Sequence, residues 1–384
     1  MIMKNFFKIS FLILIVCLSG CGKSVRSDET GSAAIRGVWI SIYDMPLPVD
    51  SEESFSAEIE KMFSSLQQQS FDNVFVQVRP FCDALYVSKI FPFSRCLTGV
   101  QGADPGFDPM KKMISCAHEH KLKFHAWINP YRILSENDIS KLCSGNPALK
   151  MTDDGESSVF FCDSGIFFNP ASVSAQKLIL DGVREIVENY DVDGIHIDDY
   201  FYPTTDSSID KNQFEKYSGN LSLNEWRMAN INSFVSSMYS VVKSSGKNIV
   251  VSISPSGDID SNYDLHFADV KKWLSCEGYA DLIIPQIYFG FENQENPFKK
   301  TLEEWKALPR SKNVALAVGL ALYKGGKEDE FAGTGKDEWL ESSDIIKRQI
   351  EMLNDTGFAL YSYSYLTNNE GKNLLSANGF FPDE

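Results

Sequence analysis

Two adjacent carboxylates, Asp198 and Asp199, end a short apolar run that reads Asp193-Gly194-Ile195-His196-Ile197-Asp198-Asp199-Tyr200-Phe201-Tyr202-Pro203. Consecutive residues of a strand point to opposite faces, but the chain turns at a strand exit, so both acids can reach one cleft. Two like charges this close cannot both ionise cheaply. One carboxyl pKa must rise, which leaves a proton donor near neutral pH beside an ionised partner. Hydrolysis of a glycosidic bond needs that split. It takes a proton for the leaving oxygen and negative charge beside the developing cation. The plainer reading is a helix cap with a structural ion pair to Arg79 or Arg132. The cost of burying two carboxylates without a use weighs against it.

Other polar residues leave neighbouring apolar runs. His125-Ala126-Trp127-Ile128-Asn129-Pro130-Tyr131-Arg132 presents an amide, a phenol and a guanidinium in a row. Asn129, Tyr131 and Arg132 could hydrogen-bond sugar hydroxyls, and Tyr131 could stack on a ring. The alternative is a proline-stabilised turn capped by Asn129. Arg79, in Gln77-Val78-Arg79-Pro80, could hold a carboxylate of the substrate or of the acid pair, or make a structural ion pair. In Pro285-Gln286-Ile287-Tyr288, Gln286 and Tyr288 fit a substrate cradle, with Tyr288 set to hold an acetamido or hydroxyl oxygen. Tyr200 follows the acids directly and joins the substrate-binding set. His196 shares a face with Asp198, either to orient it or as a core histidine. Trp39 and Trp127 fall on inward positions as a sugar platform or as barrel filling. Asp258 and Glu292 are spare acids read as solvated loop residues.

Metal and cofactor chemistry finds little support. His118-Glu119-His120 places its histidines two apart, on different faces of a helix, whereas a zinc helix needs them four apart. No phosphate-binding loop, dinucleotide fingerprint or serine-hydrolase elbow occurs. No cofactor and no metal are expected.

The elements that must hold these residues alternate regularly. Strand-like runs fall at 35–42, 73–79, 123–129, 194–198, 249–254, 282–286, 314–319 and 358–363. Helical patterns fall at 55–69, 108–120, 172–189, 222–245, 265–276, 299–308, 342–354 and 370–377. Eight such units predict an α/β fold, a closed (β/α)8 TIM barrel in a single domain. Two connections are long, 130–171 after the third strand and 200–221 after the fourth. Both leave C-terminal strand ends, the face that carries the active site in this architecture. Within the strands, polar Ser41, Gln77, Arg79, His125, Asn129, His196, Asp198, Ser252, Ser254, Gln286 and Tyr288 alternate with apolar neighbours. The apolar set must pack under helices, so the polar set points inward.

The chain has 384 residues and a formal charge of −16, with ample apolar residues for a large core. So acidic a protein gains nothing from counterion release on a polyanion, which argues against nucleic acid as a partner. Lys4 and Lys8 lead a short apolar stretch that ends Leu18-Ser19-Gly20-Cys21. That stretch is too short for a permanent span and reads as a targeting signal. It resembles a bacterial lipoprotein signal, in which Cys21 becomes the lipid-bearing N-terminus; the alternative is an ordinary secretory signal. The expected organisation is a signal peptide over 1–20, a flexible tether over 21–34 and the barrel over 35–384, in an extracytoplasmic, membrane-anchored protein. Six cysteines follow Cys21. Cys82 with Cys96 and Cys143 with Cys162 are candidate loop disulfides, while Cys116 and Cys276 read as helix thiols. No CxxC spacing points to a cysteine-based zinc site.

Taken together, these motifs carry a resemblance. Arg36-Gly37-Val38-Trp39, Gln77-Val78-Arg79-Pro80, Asp83-Ala84-Leu85-Tyr86, Trp127-Ile128-Asn129-Pro130-Tyr131-Arg132, the Asp193 to Pro203 stretch and Pro285-Gln286-Ile287-Tyr288 together resemble the glycosyl-hydrolase-like 10 family. The resemblance implies a TIM barrel in a bacterial envelope protein, often lipidated, that hydrolyses O-glycosyl bonds of glycans, with peptidoglycan strands one candidate. Trp226-Arg227-Met228-Ala229-Asn230-Ile231-Asn232 resembles a further family stretch, with Met228 where a second arginine is common. The adjacent acids also resemble those of hexosaminidase barrels that use the substrate's acetamido group as nucleophile. By that analogy Asp198 orients or stabilises, Asp199 is the general acid/base, and the substrate carries an N-acetylhexosamine. A covalent version makes Asp198 the nucleophile, with Asp199, Asp258 or Glu292 as acid. The competing class is a non-catalytic glycan-binding lipoprotein on the same scaffold.

Overall fold

A computed structural model of the protein describes residues 34–354 and 356–367. The expected signal peptide, Cys21, nearly all of the tether and the helical pattern at 370–377 lie outside the described residues. The strands are β1 (Arg36–Ile40), β2 (Asn73–Arg79), β3 (Lys123–Ile128), β4 (Arg132–Leu134), β5 (Val159–Cys162), β6 (Gly165–Phe168), β7 (Gly194–Ile197), β8 (Val250–Ile253), β9 (Leu282–Ile283), β10 (Ala315–Leu320) and β11 (Gly357–Leu360). Eight of them close into a parallel barrel in the order β1-β11-β10-β9-β8-β7-β3-β2. This is the TIM barrel expected from the alternation.

Both faces of a barrel strand are covered, which is why all seven residues of β2 are buried. The outer face packs under amphipathic helices. The helix Glu52–Gln68 buries Phe55, Ile59, Met62, Phe63 and Leu66, a one-sided stripe. Ser51, Asp108, Ser172 and Ser222 cap successive helices with their side-chain oxygens, as residues of these types do at helix starts. The lumen is filled by Trp39, Phe75, Trp127, Leu282, Ile284, Ala317 and Ala359. Trp39 packs there against the Phe75 ring at 5.7 Å and over Gly319, where a Cβ would come within 3.0 Å of it. Lower down, His125 occupies space that only glycine leaves free. A Cβ on Gly194 would sit 2.0 Å from His125 Nδ1.

Three departures from the sequence expectation matter. The long connection at 130–171 contains a three-stranded antiparallel sheet, β4-β6-β5, whose strands of three or four residues are too short to show a clear period. The connection at 200–221 contains the helix Lys211–Tyr217. The helix expected at 265–276 is shortened to Val270–Ser275, and a separate helix, Ile259–Asp264, precedes it. Phe267 between them has a left-handed φ of 53°, which breaks the helical path, and Asp269 caps the second piece.

The expected disulfides are not formed. Cys82, Cys96, Cys116, Cys143, Cys162 and Cys276 are all free thiols. Cys82 is buried beneath the loop that follows β2, where its electrostatic neighbours are Arg79, Asp83 and Cys143 rather than Cys96.

Candidate active site

Asp198 leaves β7 at its C-terminal end. Its Oδ2 accepts hydrogen bonds from Trp127 Nε1 at 3.2 Å and Asn129 Nδ2 at 2.5 Å. Asn129 has no choice of orientation. Its Oδ1 accepts from Gln77 Nε2 at 2.6 Å, and Gln77 Oε1 accepts from the Ile42 N–H at 3.1 Å. This relay of amides across β2 and β3 forces the Asn129 donor toward the acid. Asp198 Oδ1 is buried and makes no hydrogen bond of ordinary geometry among the described residues.

Asp199 lies beside it and is reached by the Gln286 side chain. Gln286 is itself fixed by donating to the Ser254 carbonyl at 2.9 Å. Burial, then the charge of Asp199, pushes the Asp198 carboxyl up to about 7, against the pull of Arg132 and Asn129. Burial also raises Asp199, opposed by His266, Gln286 and Arg132. The two titrate as a pair, so the proton lost near pH 7 belongs to the pair and not to Asp198 alone.

Around the acids is a cleft of about 300 Å3. Its aromatic walls are Trp39, Trp127, Tyr200, Tyr288, Tyr323 and Tyr361, with Ser254 and Gln286 between them. Tyr288 and Tyr361 stack with ring centroids 6.1 Å apart, and Tyr323 stands edge-on to Tyr361 at 5.9 Å. Burial holds the Tyr288 phenol well above its ordinary pKa, so it remains a donor at neutral pH. Arg132 caps Tyr200, its guanidinium 4.5 Å from the ring centroid. Aromatic faces with a few fixed polar groups are how proteins hold a sugar ring. A broader depression of about 660 Å3 lies along the helix Leu223–Ser244. Mostly small and polar side chains line it, and none of them lines the cleft around the acids.

The structure therefore brings together Asp198, Asp199, Trp127, Asn129, Arg132, Tyr200, Gln286 and Tyr288. It separates three other candidates from the cleft. Arg79 is fully buried with its guanidinium over the Phe91 ring at 4.8 Å. A bulge between Gln77 and Arg79 shifts the β2–β3 register and re-aims the arginine away from the lumen. Tyr131 is fully buried against Phe234, with ring centroids 5.1 Å apart, under the long β3 connection. His196 faces inward as expected but sits below the cleft. Trp39 Nε1 can only donate, and it lies 3.0 Å from His196 Nε2. That nitrogen must accept, so the imidazole is neutral with its proton on Nδ1, 2.8 Å from Ser252 Oγ. Burial lowers the His196 pKa well below the ordinary histidine range, in agreement. His196 positions Trp39, not the acids.

The reserve carboxylates are also elsewhere. Asp258 accepts from the Asp260 N–H and Ser261 Oγ as the cap of the helix Ile259–Asp264. Glu292 is exposed outside the cleft. Tyr323, Tyr361 and His266 were not foreseen. For Tyr361 a signal existed: Tyr361-Ser362-Tyr363-Ser364-Tyr365 leaves the last strand as an aromatic–polar alternation.

Comparison with known proteins agrees with this geometry. The family model described as Glycosyl hydrolase-like 10 matches residues 34–332. The chain is 31% identical over 344 residues to glycosyl hydrolase YngK of Bacillus subtilis, covering 83% of this chain and 66% of that protein. It thus spans just under two thirds of the length of that relative. It is 28% identical over 399 aligned positions to glycosyl hydrolase DigH of Escherichia coli, covering 92% of this chain and 88% of that protein. Among solved structures, the glycoside hydrolase domain of PgaB (BpsB) from Bordetella bronchiseptica superposes with a TM-score of 0.59 at 11% identity, covering 91% of this chain and 99% of that one. The catalytic domain of a Paenibacillus polymyxa β-amylase gives 0.55 at 14% identity, covering 88% and 94%. These superpositions show a shared barrel. The sequence match over most of the barrel shows more: the chain belongs to the glycosyl hydrolase-like 10 family.

Proposed function

We propose that this protein is a glycoside hydrolase whose acid pair, Asp198 and Asp199, cleaves an O-glycosyl bond next to an N-acetylhexosamine. The carrying observation is the pair itself: buried Asp198 and partly buried Asp199 share an aromatic-walled cleft at the C-terminal end of a parallel barrel. The family and the names of its relatives support a glycan substrate. Asp199 donates a proton to the leaving oxygen and later takes one from water. Asp198, held by Trp127 and Asn129, keeps Oδ1 free to accept the acetamido N–H of the substrate. So oriented, the acetamido oxygen attacks the anomeric carbon as the glycosidic bond breaks. The carboxylate stabilises the positive charge that develops.

The test is incubation of the purified chain with peptidoglycan glycan strands and with other N-acetylhexosamine polymers, followed by mass spectrometry. New reducing ends that depend on Asp199 are the expected result. Glycan that binds without product would instead identify a non-catalytic glycan-binding protein.

The pair also fixes a pH dependence. One carboxyl must carry a proton and the other must not. As pH rises through about 7 the shared proton is lost, and turnover declines; in strong acid the anion is lost and turnover declines again. A rate–pH profile that is flat from pH 6 to pH 9 contradicts this assignment.

The setting we infer is the cell envelope, with the chain held to a membrane by lipid on Cys21. The sequence Leu18-Ser19-Gly20-Cys21 supports this. Cys21→Ser is expected to move the protein from the membrane fraction to the soluble fraction. Unchanged fractionation would remove the anchor from this account.

A further inference from the structure

The histidines of His118-Glu119-His120 diverge as their spacing requires, and one of them meets a different set of ligand atoms. His118 turns to Asp193, its Nε2 2.9 Å from Oδ2. His120 ends the helix Pro109–Glu119 and turns toward the helix Glu52–Gln68. There Glu60, Cys116 and His120 each bring one ligand atom within 4.8 Å of the others. Glu60 Oε1 lies 2.8 Å from His120 Nε2, and Glu60 Oε2 lies 3.3 Å from Cys116 Sγ.

As placed, both ring nitrogens of His120 face oxygen atoms. Gln67 Oε1 lies 3.0 Å from His120 Nδ1 and can only accept. A neutral imidazole has one N–H, and Gln67 takes it. The Nε2 lone pair then faces a carboxylate oxygen, two acceptors at contact distance. A second ring proton, a turned Gln67 amide or a metal ion would each satisfy that contact.

We propose that Glu60, Cys116 and His120 form a zinc site on the outer surface of the barrel, with water completing the coordination. Thiolate, imidazole and carboxylate are the ligand types zinc takes, at about 2.3 Å for sulfur and about 2.0–2.2 Å for nitrogen and oxygen. In a tetrahedron those bonds set ligand atoms roughly 3.3–3.6 Å apart. The two short contacts run to different Glu60 oxygens and the remaining separations are bounded at 4.8 Å, so the side chains must shift by up to about 1 Å to comply. Gln67 supplies the outer hydrogen bond that fixes the histidine tautomer, as ligand histidines generally require. Sulfur and nitrogen donors disfavour magnesium and calcium. Burial and the Glu60 carboxylate hold the free thiol protonated, up to about 12, and zinc displaces that proton on binding. His120 lies just before β3 begins, at the opposite end of the barrel from the acid pair. Zinc there ties two outer helices together and leaves the cleft unchanged. This site stands independently of the glycosidase reading.

Cobalt(II) titration of the reduced, purified full-length chain tests it. Expected is a thiolate-to-cobalt charge-transfer band in the near ultraviolet that zinc(II) abolishes. Cys116→Ser is expected to remove the band, and Glu60→Gln and His120→Ala to weaken zinc affinity tenfold or more. Cys276→Ser, which changes an exposed thiol, is expected to keep it. Zinc should also raise the melting temperature of the parent chain. Should Cys116→Ser not fold, the variants at exposed Glu60 and partly buried His120 carry the test by their zinc affinity. No band with cobalt, a band that survives loss of Cys116, or parent-like zinc affinity in Glu60→Gln and His120→Ala would each overturn the site and leave a proton-bridged cluster.

Discussion

Asp199→Asn is expected to lower turnover of natural glycans by about 100- to 10,000-fold, the range for loss of a general acid. Asp198→Asn should lower it comparably, for a different reason. Asparagine keeps the acceptor oxygen that Trp127 and Asn129 use but carries no charge to stabilise the developing cation. A leaving group distinguishes the two. An aryl glycoside departs without protonation, so it should largely rescue the first step in Asp199→Asn and not in Asp198→Asn. Kinetics of both variants on a natural glycan and on an activated aryl substrate provide the check. Near-parent turnover in either variant rejects the role assigned to that residue.

Stability supplies the control. Burial raises both carboxyls of the pair above their unfolded pKa, so the folded pair keeps a proton where the unfolded chain has lost it. Its contribution to folding is therefore present at low pH and disappears as pH rises from about 4 through 7. Asparagine cannot ionise and escapes that loss. Asp198→Asn should thus melt higher than the parent at pH 8 while turning over more slowly, the trade expected where a site is built at the expense of stability. A lower melting point would mean that the lost activity reflects damage to the fold.

The largest expected loss of stability lies away from the acids, at Arg227. Its side chain is fully buried, as is that of Asp210. Arg227 Nε and Nη2 donate to the two Asp210 oxygens, each at 2.7 Å. Its remaining donors reach the carbonyls of Thr205 at 3.1 Å and Asp206 at 2.6 Å. Tyr202 and Phe267 flank the guanidinium, each ring centroid 5.0 Å away. One arginine thus holds the whole connection after β7, which starts at the acid pair. Asp210 is also the N-cap position of the helix Lys211–Tyr217, yet it makes no capping bond because Arg227 occupies its carboxylate. Arg227→Ala leaves a buried carboxylate unpaired and should cost about 3–5 kcal/mol. Arg227→Lys should recover only part, since an ammonium cannot make the two-pronged contact. Removing both charges with Asp210→Asn and Arg227→Met should cost less than the sum of the single changes. Denaturant melts decide the matter. A loss below about 1 kcal/mol for Arg227→Ala would show that the pair is not a main tie of this connection.

Much of this was legible in the chain. The alternation of apolar runs and helical stripes is a local property, and it specified the barrel. Asp198 and Asp199 were legible for a similar reason, because a strand exit in a barrel has one place to go. Period two also placed Gln77, Asn129, His196 and Gln286 on the inner face. What it could not give was height along the barrel axis or the effect of one irregular residue. His196 and Asp198 share a face and differ by one step, yet one orients an indole and the other borders the cleft. Arg79 has the parity of an inward residue, and a single bulge turns it outward.

The sequence alone determined the repeat, the closed sheet and the acid pair, since each follows from neighbours along the chain. Only the tertiary structure decided which polar groups meet those acids, that Tyr323 and Tyr361 complete the wall, and that Arg227 pins a connection instead of touching substrate. It also set Glu60 against Cys116 and His120, more than fifty residues apart. Such pairings depend on how separate elements pack. The pattern along a single segment carries no distance to a residue on another.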